Sequence, residues 1–406
     1  MSVIETLQNS LDGMFEYMTP KLWLYGIILP FVIAMVITAF IHPYIVKMAK
    51  TRNMVDVPDY RKLQRTPIPV MGGLAVFFGI VIGAGVTSTF FNTYALFTCI
   101  ITLTMMMYIG MLDDMIGLSP ILRLVLQVAM IAFIVKMDQT NINDFHGLFG
   151  IGKLPVYVSL PLCTISCCGI INSINLIDGV DGLSSGYCIF ACLCFGLVFC
   201  SSYEGTMSIM ASLAAGALIP FFFHNVFGQK SKMFIGDAGT LMMGMLMSIF
   251  CMRMIDNTSM VQDNHPKMGV IAFCLSVLSV PVFDTLRVMT GRICKGISPF
   301  HPDKSHLHHL FIEIGFSHIG TTVSMIFINA INVFFWVLSF LLGFGPTGQF
   351  LVVFFIGLIN TVVFYYVVRK MNHHRLPYRC LSWLARKSHK ETGRTFNFIR
   401  NIVDKM

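Results

Sequence analysis

Charged residues are scarce in this 406-residue sequence, because only 12% of its residues are Asp, Glu, Lys or Arg whereas 55% are hydrophobic. A soluble domain has about a quarter charged residues, so the composition excludes an ordinary soluble protein. Continuous apolar runs of about 20 residues recur along the chain, long enough to cross a hydrocarbon core of roughly 30 Å. Because the runs are continuous rather than alternating, they predict an all-α polytopic integral membrane protein.

The sequence also lacks two features of many secreted proteins, namely a cleavable signal peptide and a cysteine pattern typical of disulfides. A cleavable signal peptide is not evident, because residues 1–20 are polar and the apolar run from residue 22 is too long for a signal-peptide core. The twelve cysteines lie mostly inside apolar runs, and none has zinc-ligand spacing beside a polar loop. We therefore interpret the cysteines as small structural hydrophobes rather than as a disulfide framework.

Hydropathy predicts about eleven transmembrane helices within a membrane domain of residues 22–369. An extracytoplasmic segment, residues 1–21, is expected before this domain, and a basic cytoplasmic tail, residues 370–406, after it. The predicted spans lie near residues 22–46, 72–91, 94–112, 120–137, 154–172, 184–201, 207–224, 237–256, 267–290, 319–343 and 348–369.

The distribution of lysine and arginine predicts the orientation of these spans. The tail and the stretch KMAKTRNMVDVPDYRKLQR after the first span are rich in Lys and Arg, whereas connections such as NTYA and SSYEGT have almost none. The positive-inside rule then places the basic segments in the cytoplasm and the N-terminus outside. The tail fits either a helix on anionic headgroups or a plain solvated segment, and both alternatives stay open here.

Four polar clusters follow alternate spans. Asp113 and Asp114 follow the third span, Asp178 and Asp181 the fifth, Asp237 the seventh, and the stretch SPFHPDKSHLHHLF the ninth. Two crossings of roughly 20 residues separate successive clusters, and an even number of crossings returns the chain to the same face. We therefore expect all four clusters to open on the cytoplasmic side and to converge on one site. Carboxylates near a bilayer are costly, which favours a functional role for them.

These five aspartates, together with Asn172 and Asn175, form an oxygen-rich environment that needs a counter-charge. A hard divalent cation is the natural one, and magnesium in particular binds through one or two carboxylates plus substrate phosphates. The absence of sulfur and nitrogen ligands from this set argues against zinc or copper.

Basic residues are predicted near the same face: Lys62, Arg65, Arg123, Arg292 and Lys304. Arg123 lies within a predicted span and requires an anionic partner, which is either an aspartate or a lipid phosphate. A metal ion with several cations at membrane level suits a phosphate-bearing lipid that meets a phosphate-bearing soluble substrate.

Histidines form a short run in the loop after the ninth span. His306, His308 and His309 adjoin Asp303 and Lys304 on the side of the acidic clusters. A solvated loop is the plain interpretation of such a run. Its position favours instead a role in binding a pyrophosphate or in proton transfer.

Taken in order, the motifs VDVPDYRK with PVMGG, LDDMIGLS, NSINLIDGVDGLSSG, FIGDAGT and SPFHPDKSHLHHLF resemble those of the bacterial polyprenyl-phosphate N-acetylhexosamine-1-phosphate transferases. The resemblance covers residues 55–316, and the histidine stretch is similar to that of the WecA/TagO-like branch. Two positions depart from the family pattern, with Gln64 where histidine is usual and Thr240 where serine is common. The residues beyond about 320 carry no motif of the family.

The resemblance implies a reaction at the bacterial cytoplasmic (inner) membrane, the first membrane step of cell-surface polysaccharide synthesis. A UDP-N-acetylhexosamine, foremost UDP-GlcNAc, would give its sugar-1-phosphate to undecaprenyl phosphate, with UMP as the second product and Mg²⁺ or Mn²⁺ as cofactor. Membrane lipid is a further expected partner, a homodimer stays open, and no nucleic acid is expected. Because a phosphate monoester is largely ionised near neutrality, direct attack on the β-phosphorus without a base is favoured.

The resemblance also implies three sets of site residues. The catalytic set comprises Asp113, Asp114, Asp178, His306, His308 and His309. The substrate-binding set comprises Lys62, Arg123, Asn172, Asp181, Asn225, Phe234, Asp303 and Lys304, of which Asp181, Asn225 and Phe234 match the uridine pocket. The metal set comprises Asp237, Asn175 and Asp114.

Other functions remain as alternatives. A cation-coupled transporter also places aspartates among many spans, but it predicts polar groups near mid-helix and an internal repeat, which are not evident. The same chemistry with a different UDP-hexosamine is a second alternative, and a structural membrane protein a third. Asp284 is interpreted as the i,i+3 ion-pair partner of Arg287 and stays off the catalytic list.

Overall fold

A computed structural model describes residues 24–56, 67–88, 94–138, 140–299, 301, 303–372, 374–389 and 393–405. In this part of the chain nine helices are long and apolar enough to cross a membrane. A bent helix pair forms a further candidate span, and one shorter apolar helix, Gly72–Thr87, lies beside them. Each of the eleven predicted spans therefore corresponds to helix, and the all-α membrane fold is confirmed.

The first half of the chain supplies five of these helices and two small hairpins. A short π-helical turn, Leu24–Ile28, leads into the first helix. The helices are α1 (Leu29–Thr51), α2 (Gly72–Thr87), α3 (Tyr94–Ile116), α4 (Pro120–Asp138) and α5 (Val156–Leu176). The hairpins pair β1 (Val55–Asp56) with β2 (Ile68–Pro69) and β3 (Asp144–Leu148) with β4 (Ile151–Lys153), both antiparallel.

The second half continues with α6 (Leu183–Ser201), α7 (Gly205–Phe227), α8 (Gly236–Ile255), the short α9 (Met260–Asn264), and the bent pair α10 (Val270–Val277) and α11 (Ser279–Ile293). It ends with α12 (Leu307–Ile314), α13 (His318–Leu341), α14 (Pro346–Gly357), a π-helical turn (Leu358–Val363), α15 (Phe364–Lys370), α16 (Leu376–Ser388) and α17 (Arg394–Val403).

Helix α8 is the centre of the bundle. About 94% of its apolar span is buried inside the protein, whereas only 28% of the first span is buried. The first span therefore exposes a broad apolar face, as a lipid-facing helix does. Small residues let neighbouring helices approach α8 closely. A Cβ atom at Gly244 would lie 2.7 Å from the Cα atom of Ile171 on α5, so only glycine fits there.

The bent pair α10 and α11 meets at an angle of 76°, and side chains from two other helices satisfy the interrupted backbone. Asn329 of α13 accepts hydrogen bonds from the Ser279 hydroxyl (2.8 Å) and the Val280 N–H (3.2 Å) and donates to the Val277 carbonyl (2.9 Å). The Tyr187 hydroxyl also donates to Val277 (2.6 Å). Non-helical backbone at membrane depth is tolerated where protein groups satisfy it in this way.

Helix α3 extends beyond the predicted end of its apolar run. The third span was expected to end at residue 112, but α3 continues to Ile116, so Asp113 and Asp114 lie in its last turns. Backbone hydrogen bonding continues past the point where apolar side chains stop. Hydropathy therefore underestimates the length of this helix.

Candidate functional site

One end of the helix bundle encloses a cavity of about 1180 Å³. Helices α1, α3, α5 and α7 reach it with their C-terminal ends, whereas α6, α8 and α13 reach it with their N-terminal ends. Four of the residues in its wall come from three of the predicted acidic clusters: Asp114, Asn175, Asp178 and Asp237. His309 brings the fourth cluster to the same cavity, so the structure brings the four clusters together as the count of crossings predicted.

Asp237 lies in the first turn of α8, held there by residues of two other helices. Asn175 of α5 donates from Nδ2 to Asp237 Oδ1 (2.5 Å) and to the Thr240 hydroxyl (2.8 Å). The Asp114 carboxylate of α3 accepts from the backbone N–H groups of Asp237 (2.9 Å) and Ala238 (3.1 Å). These bonds satisfy donors at the start of α8 that have no partner within the helix.

Two glycines allow this close approach. A Cβ atom at Gly110 on α3 would lie 2.4 Å from the Cα atom of Ala238, which would push the two helices apart. Gly236 has a φ of +71°, and a Cβ atom there would lie 2.6 Å from Asp114 Oδ2. The glycine of the FIGDAGT motif is thus required both by its backbone conformation and by the neighbouring carboxylate.

Asp178 lies in the turn between α5 and α6. Its Oδ1 atom accepts a short hydrogen bond from the Ser184 hydroxyl (2.5 Å). The residue is exposed to the cavity, but desolvation of its carboxyl group by the surrounding protein, together with the nearby Asp237 and Asp181 charges, raises its pKa to about 7. The hydrogen bond from Ser184 opposes this rise in the pKa.

The residues at this end of the cavity fit a divalent cation. Among the described ion pairs, none neutralises Asp114, Asp178 or Asp237, although all three line one cavity. Within the described ranges no group of three or more His, Cys, Asp or Glu residues is already close enough to enclose a metal ion. Magnesium does not need such a cage, because it keeps several waters and uses one or two carboxylates with substrate phosphates.

Asp113, unlike the adjacent Asp114, is held in an ion pair with another described residue. Its carboxylate pairs with Arg123 Nη1 of α4 (2.9 Å) and accepts from the Leu118 N–H (2.7 Å). Of the two partners proposed for Arg123, an aspartate or a lipid phosphate, the structure supplies the aspartate. Neither Asp113 nor Arg123 is part of the cavity wall.

Asp181 connects three elements on another wall of the cavity. It accepts from Lys232 Nζ (2.6 Å) and from His318 Nδ1 (2.7 Å) at the start of α13. These partners hold the pKa of Asp181 below its usual value, although burial alone would raise it. Sequence reasoning missed both partners. Lys232 opens the stretch KMFIGDAGT, and its charge was the available signal.

Asn225 and Phe234 lie beside Asp181 in the cavity wall. The amide of Asn225 is engaged on both sides, because its oxygen accepts from the Gly182 N–H (2.6 Å) and its nitrogen donates to the Met233 carbonyl (2.9 Å). Gly182 has a φ of +76°, so this bond fixes the turn that carries Asp181. Phe234 pairs through its backbone with the strand residues Pro69 and Val70.

The histidine run is mostly buried below the cavity. His306 Nδ1 bonds to Asp284 Oδ2 (2.9 Å), and the N–H of Leu307 also donates to that carboxylate. The i,i+3 pair of Asp284 with Arg287 is present as predicted, with 2.5 Å between Nη2 and Oδ1. Sequence reasoning missed the second role of Asp284, which is to hold the histidine run in place. In the sequence, only the charge of Asp284 within an apolar span indicated such a role.

His308 packs below the turn that carries Asp178. A Cβ atom at Gly179 would lie 2.3 Å from His308 Nε2, so the imidazole occupies the space that this glycine leaves. Burial, together with the neighbouring His309 and His306, lowers the pKa of His308 to about 3. His308 is therefore neutral at physiological pH. Of the three histidines, only His309 contributes to the cavity wall.

Three other predicted residues, Asp303, Lys304 and Asn172, lie outside the cavity wall. Asp303 pairs with Arg292 (3.0 Å), and both it and Lys304 are in the exposed loop before α12 rather than in the cavity wall. Asn172 donates to Gln127 Oε1 (2.9 Å) between α5 and α4, also outside the wall. Lys62 lies outside the described residues.

The fold and the cavity together define a polytopic membrane protein with a carboxylate-lined polar site at one end of its helices. Residues 96–255, which include Asp113, Asp114, Asn175, Asp178 and Asp237, match the family model "Glycosyl transferase family 4". This part of the chain is similar to that family, and the match, together with the names of the relatives described next, indicates a sugar-1-phosphate transferase.

Similar proteins are known from several bacteria. The "undecaprenyl-phosphate alpha-N-acetylglucosaminyl 1-phosphate transferase" of Escherichia coli (strain K12) is 27% identical over 318 residues, which is 77% of this chain and 83% of that protein. The "probable undecaprenyl-phosphate N-acetylglucosaminyl 1-phosphate transferase" of Bacillus subtilis (strain 168) is 29% identical over 297 residues, or 72% and 79% of the two chains. The Yersinia pestis protein with the Escherichia coli name is 26% identical over 320 residues, or 77% and 84%.

Proposed function

We propose that this protein transfers N-acetylhexosamine-1-phosphate from a UDP-sugar to undecaprenyl phosphate, with UDP-GlcNAc as the donor. The products are the lipid-linked sugar pyrophosphate and UMP. The observation that carries this proposal is the convergence of Asp114, Asn175, Asp178 and Asp237 on one cavity of about 1180 Å³. Ligand pockets usually measure about 300–1,000 Å³, so this volume accommodates a nucleotide sugar together with a lipid phosphate.

Magnesium or manganese is the proposed cofactor. Asp237, Asn175 and Asp178 each have an oxygen that takes part in none of the hydrogen bonds described above, and these oxygens would hold the ion with help from Asp114. The bound cation would neutralise charge on the diphosphate as the phosphoryl group is transferred. Asn175 orients Asp237 for this role through the bond between Nδ2 and Oδ1.

No general base is needed for the proposed reaction. The second pKa of a phosphate monoester is about 6, so the lipid phosphate is already nucleophilic near neutral pH. Its oxygen attacks the β-phosphorus of the UDP-sugar, a P–O bond forms, and the bond to the α-phosphate oxygen breaks to release UMP. The protein's task is positioning and charge neutralisation. Asp113 is already paired with Arg123, which further argues against its use as a base.

The basic residues around the cavity support a cytoplasmic active site in the bacterial inner membrane. Lys50, Arg52, Lys232 and Arg400 are all in its wall, at the C-terminal end of α1, in the loop before α8 and in α17. The positive-inside rule places such an end of the bundle in the cytoplasm. A diphosphate cannot cross the hydrocarbon core unaided, so a UDP-sugar must reach the site from the side of the membrane on which it is made.

The experiment is a release assay with the full-length protein in detergent. Undecaprenyl phosphate, Mg²⁺ and either UDP-GlcNAc or UDP-GalNAc are supplied side by side, and UMP is measured. We expect UMP release that requires the lipid phosphate, is abolished by EDTA and is faster with UDP-GlcNAc. Absence of UMP with both donors would reject the proposal, whereas a preference for UDP-GalNAc would reject only the choice of sugar.

A further inference from the structure

The C-terminal helix α17 packs against the end of α7 that borders the cavity. Phe396 is buried there, with its ring centroid 5.0 Å from that of Phe227. Val403, two turns further on the helix, is also buried. The rest of the helix surface is largely exposed and carries both polar and apolar residues, among them Asn397, Phe398 and Ile402. Helix α17 is therefore docked on the membrane domain by its apolar face.

A second contact fixes the end of this helix to the loop that follows α7. The Asp404 carboxylate accepts from the backbone N–H groups of Gln229 (3.0 Å), Lys230 (3.0 Å) and Ser231 (3.1 Å). The Ser231 hydroxyl donates to the same oxygen at 2.9 Å. A carboxylate that accepts several backbone N–H groups makes strong, charge-assisted bonds. Lys232, the next residue of this loop, is the partner of Asp181 in the cavity.

Arg400 is the residue that this docking brings into the cavity wall. Its guanidinium carbon lies 4.9 Å from the centroid of the Phe396 ring, which supports the side chain. Among the described residues, no carboxylate lies within ion-pair distance of Arg400, and its buried Nε–H has no acceptor. The two lysines of this wall already have hydrogen-bond partners. Lys50 donates to the Lys230 carbonyl (2.7 Å), and Lys232 donates to Asp181 (2.6 Å).

We propose that α17 forms part of the substrate site and that Arg400 binds a phosphoryl group of one of the two substrates. This inference rests on the proposed function, because it names a further binding residue of the same cavity. A guanidinium presents donors in a fork that matches phosphate oxygens. The group bound is either the diphosphate of the UDP-sugar or the phosphate of the lipid. The buried Nε–H gains its missing acceptor when such a group binds.

The test compares Arg400→Gln and Arg400→Lys with the wild-type full-length enzyme. Gln keeps most of the side-chain length over Phe396 but removes the charge, whereas Lys keeps the charge without the fork. KM is measured for UDP-GlcNAc at saturating undecaprenyl phosphate and then for the lipid at saturating UDP-GlcNAc. We expect Arg400→Gln to raise one of the two KM values roughly tenfold, as loss of one charge-assisted hydrogen bond implies. Lys should restore part of the loss, and the affected substrate identifies the phosphoryl group.

Arg394→Gln is the matched control, because Arg394 is exposed at the other end of the same helix and is not in the cavity wall. It should leave both KM values unchanged. Thermal unfolding of each variant is measured in parallel. Unchanged KM values for Arg400→Gln, or an equal loss with Arg394→Gln, would overturn the inference while wild-type UMP release still supports the transferase. If the wild-type enzyme releases no UMP, the proposed function itself fails.

Binding of UDP alone gives a readout without turnover. If the UDP-sugar is the substrate concerned, the dissociation constant of UDP should rise by a similar factor in Arg400→Gln. If the lipid phosphate is concerned, UDP binding should stay unchanged while the KM for the lipid rises. A loss of kcat with both KM values and UDP binding intact would contradict a binding role for Arg400.

Discussion

The carboxylate of Asp114 accepts a hydrogen bond from the backbone N–H of Asp237, with 2.9 Å between Oδ1 and N. The N–H of Ala238 donates to the other oxygen at 3.1 Å. Asp114 thus performs from α3 the task that an N-cap residue performs within its own helix. Its negative charge also faces the positive end of the α8 dipole. The relationship joins the LDDMIGLS and FIGDAGT motifs and positions Asp237 at the cavity.

Asp237→Asn should abolish most of the transferase activity. The substitution keeps the size of the side chain but removes the charge of the proposed metal ligand, and charge stabilisation by a metal contributes several kcal/mol. We expect kcat to fall by at least about a hundredfold, since each 1.36 kcal/mol is a factor of ten. The measurement is UMP release at saturating Mg²⁺. Asp263→Asn is the control, because Asp263 is an exposed carboxylate after the other end of α8. Near-wild-type turnover in Asp237→Asn would reject Asp237 as a ligand.

Asp114→Ala should destabilise the protein as well as impair activity. Removal of an N-cap side chain costs roughly 0.5–2 kcal/mol, because it leaves helix N–H groups without acceptors. Asp114→Asn retains one oxygen acceptor and should lose less stability. Thermal unfolding in detergent measures the difference between the two variants. An Asp114→Ala protein as stable as the wild type would show that the bonds to α8 contribute nothing to the fold.

Several site residues could be predicted because topology determines them. Asp114, Asn175, Asp178 and Asp237 belong to clusters separated by two crossings, so any helical bundle of this chain returns them to one face. The burial of His306 and His308 could not be predicted in this way. It depends on Asp284, a residue 22 positions earlier, which draws the run inward by a bond to His306. Side-chain contacts of this kind leave no trace in hydropathy.

The contribution of the C-terminal tail to the cavity wall could also not be predicted from the sequence. Asp404 contacts Gln229 across 175 positions of the chain, and none of the motifs that carry the resemblance lies beyond about residue 320. A basic amphipathic helix such as α17 has the same pattern whether it lies on lipid headgroups or on protein. The buried Phe396 beside Phe227 shows that one face of α17 packs on protein, while Phe398 and Ile402 are exposed on the rest of the helix.

Asp284→Asn should strongly destabilise the fold. Asp284 is only 1% exposed and its carboxylate is the partner of the buried Arg287, so the variant leaves an uncompensated guanidinium. Breaking one partner of such a pair costs about 3–5 kcal/mol. Unfolding of the purified protein in detergent is the measurement. The double variant Asp284→Asn, Arg287→Met should recover part of the loss. A double variant less stable than the single one would contradict this account of the pair.

His308 should make the protein less stable in acid. Its pKa is lowered to about 3 in the folded protein, against an ordinary value of 6.5, because burial and the adjacent His309 and His306 disfavour its charge. Between these values the unfolded chain binds a proton that the folded protein does not. Stability therefore falls as the pH decreases below about 6.5, by about 1.4 kcal/mol per pH unit for a fully buried group.

His308→Gln is the comparison that isolates this effect. Glutamine does not titrate, so the variant should lose less stability than the wild type between pH 6.5 and pH 5, whatever its stability at neutral pH. Asp284, His306 and His309 face the same space and are retained in both proteins. The difference between the two unfolding profiles therefore reports on His308 and its interactions with these neighbours. Parallel profiles for the two proteins would show that the pKa of His308 is the same in the folded and unfolded protein, against this account.

The ion pair of Asp181 and Lys232 should act as a unit in donor binding. Asp181 accepts from Lys232 (2.6 Å) and His318 (2.7 Å), so it joins the loop before α8 to the start of α13 within one wall of the cavity. We expect Asp181→Asn and Lys232→Ala each to raise the KM for UDP-GlcNAc, because either change weakens the ion pair that holds this wall of the cavity in place. The double variant should be no worse than the more affected single variant, since residues in one network are not additive. Full kinetics of the three variants against UDP-GlcNAc test this. Additive effects would mean instead that Asp181 and Lys232 contact the nucleotide independently.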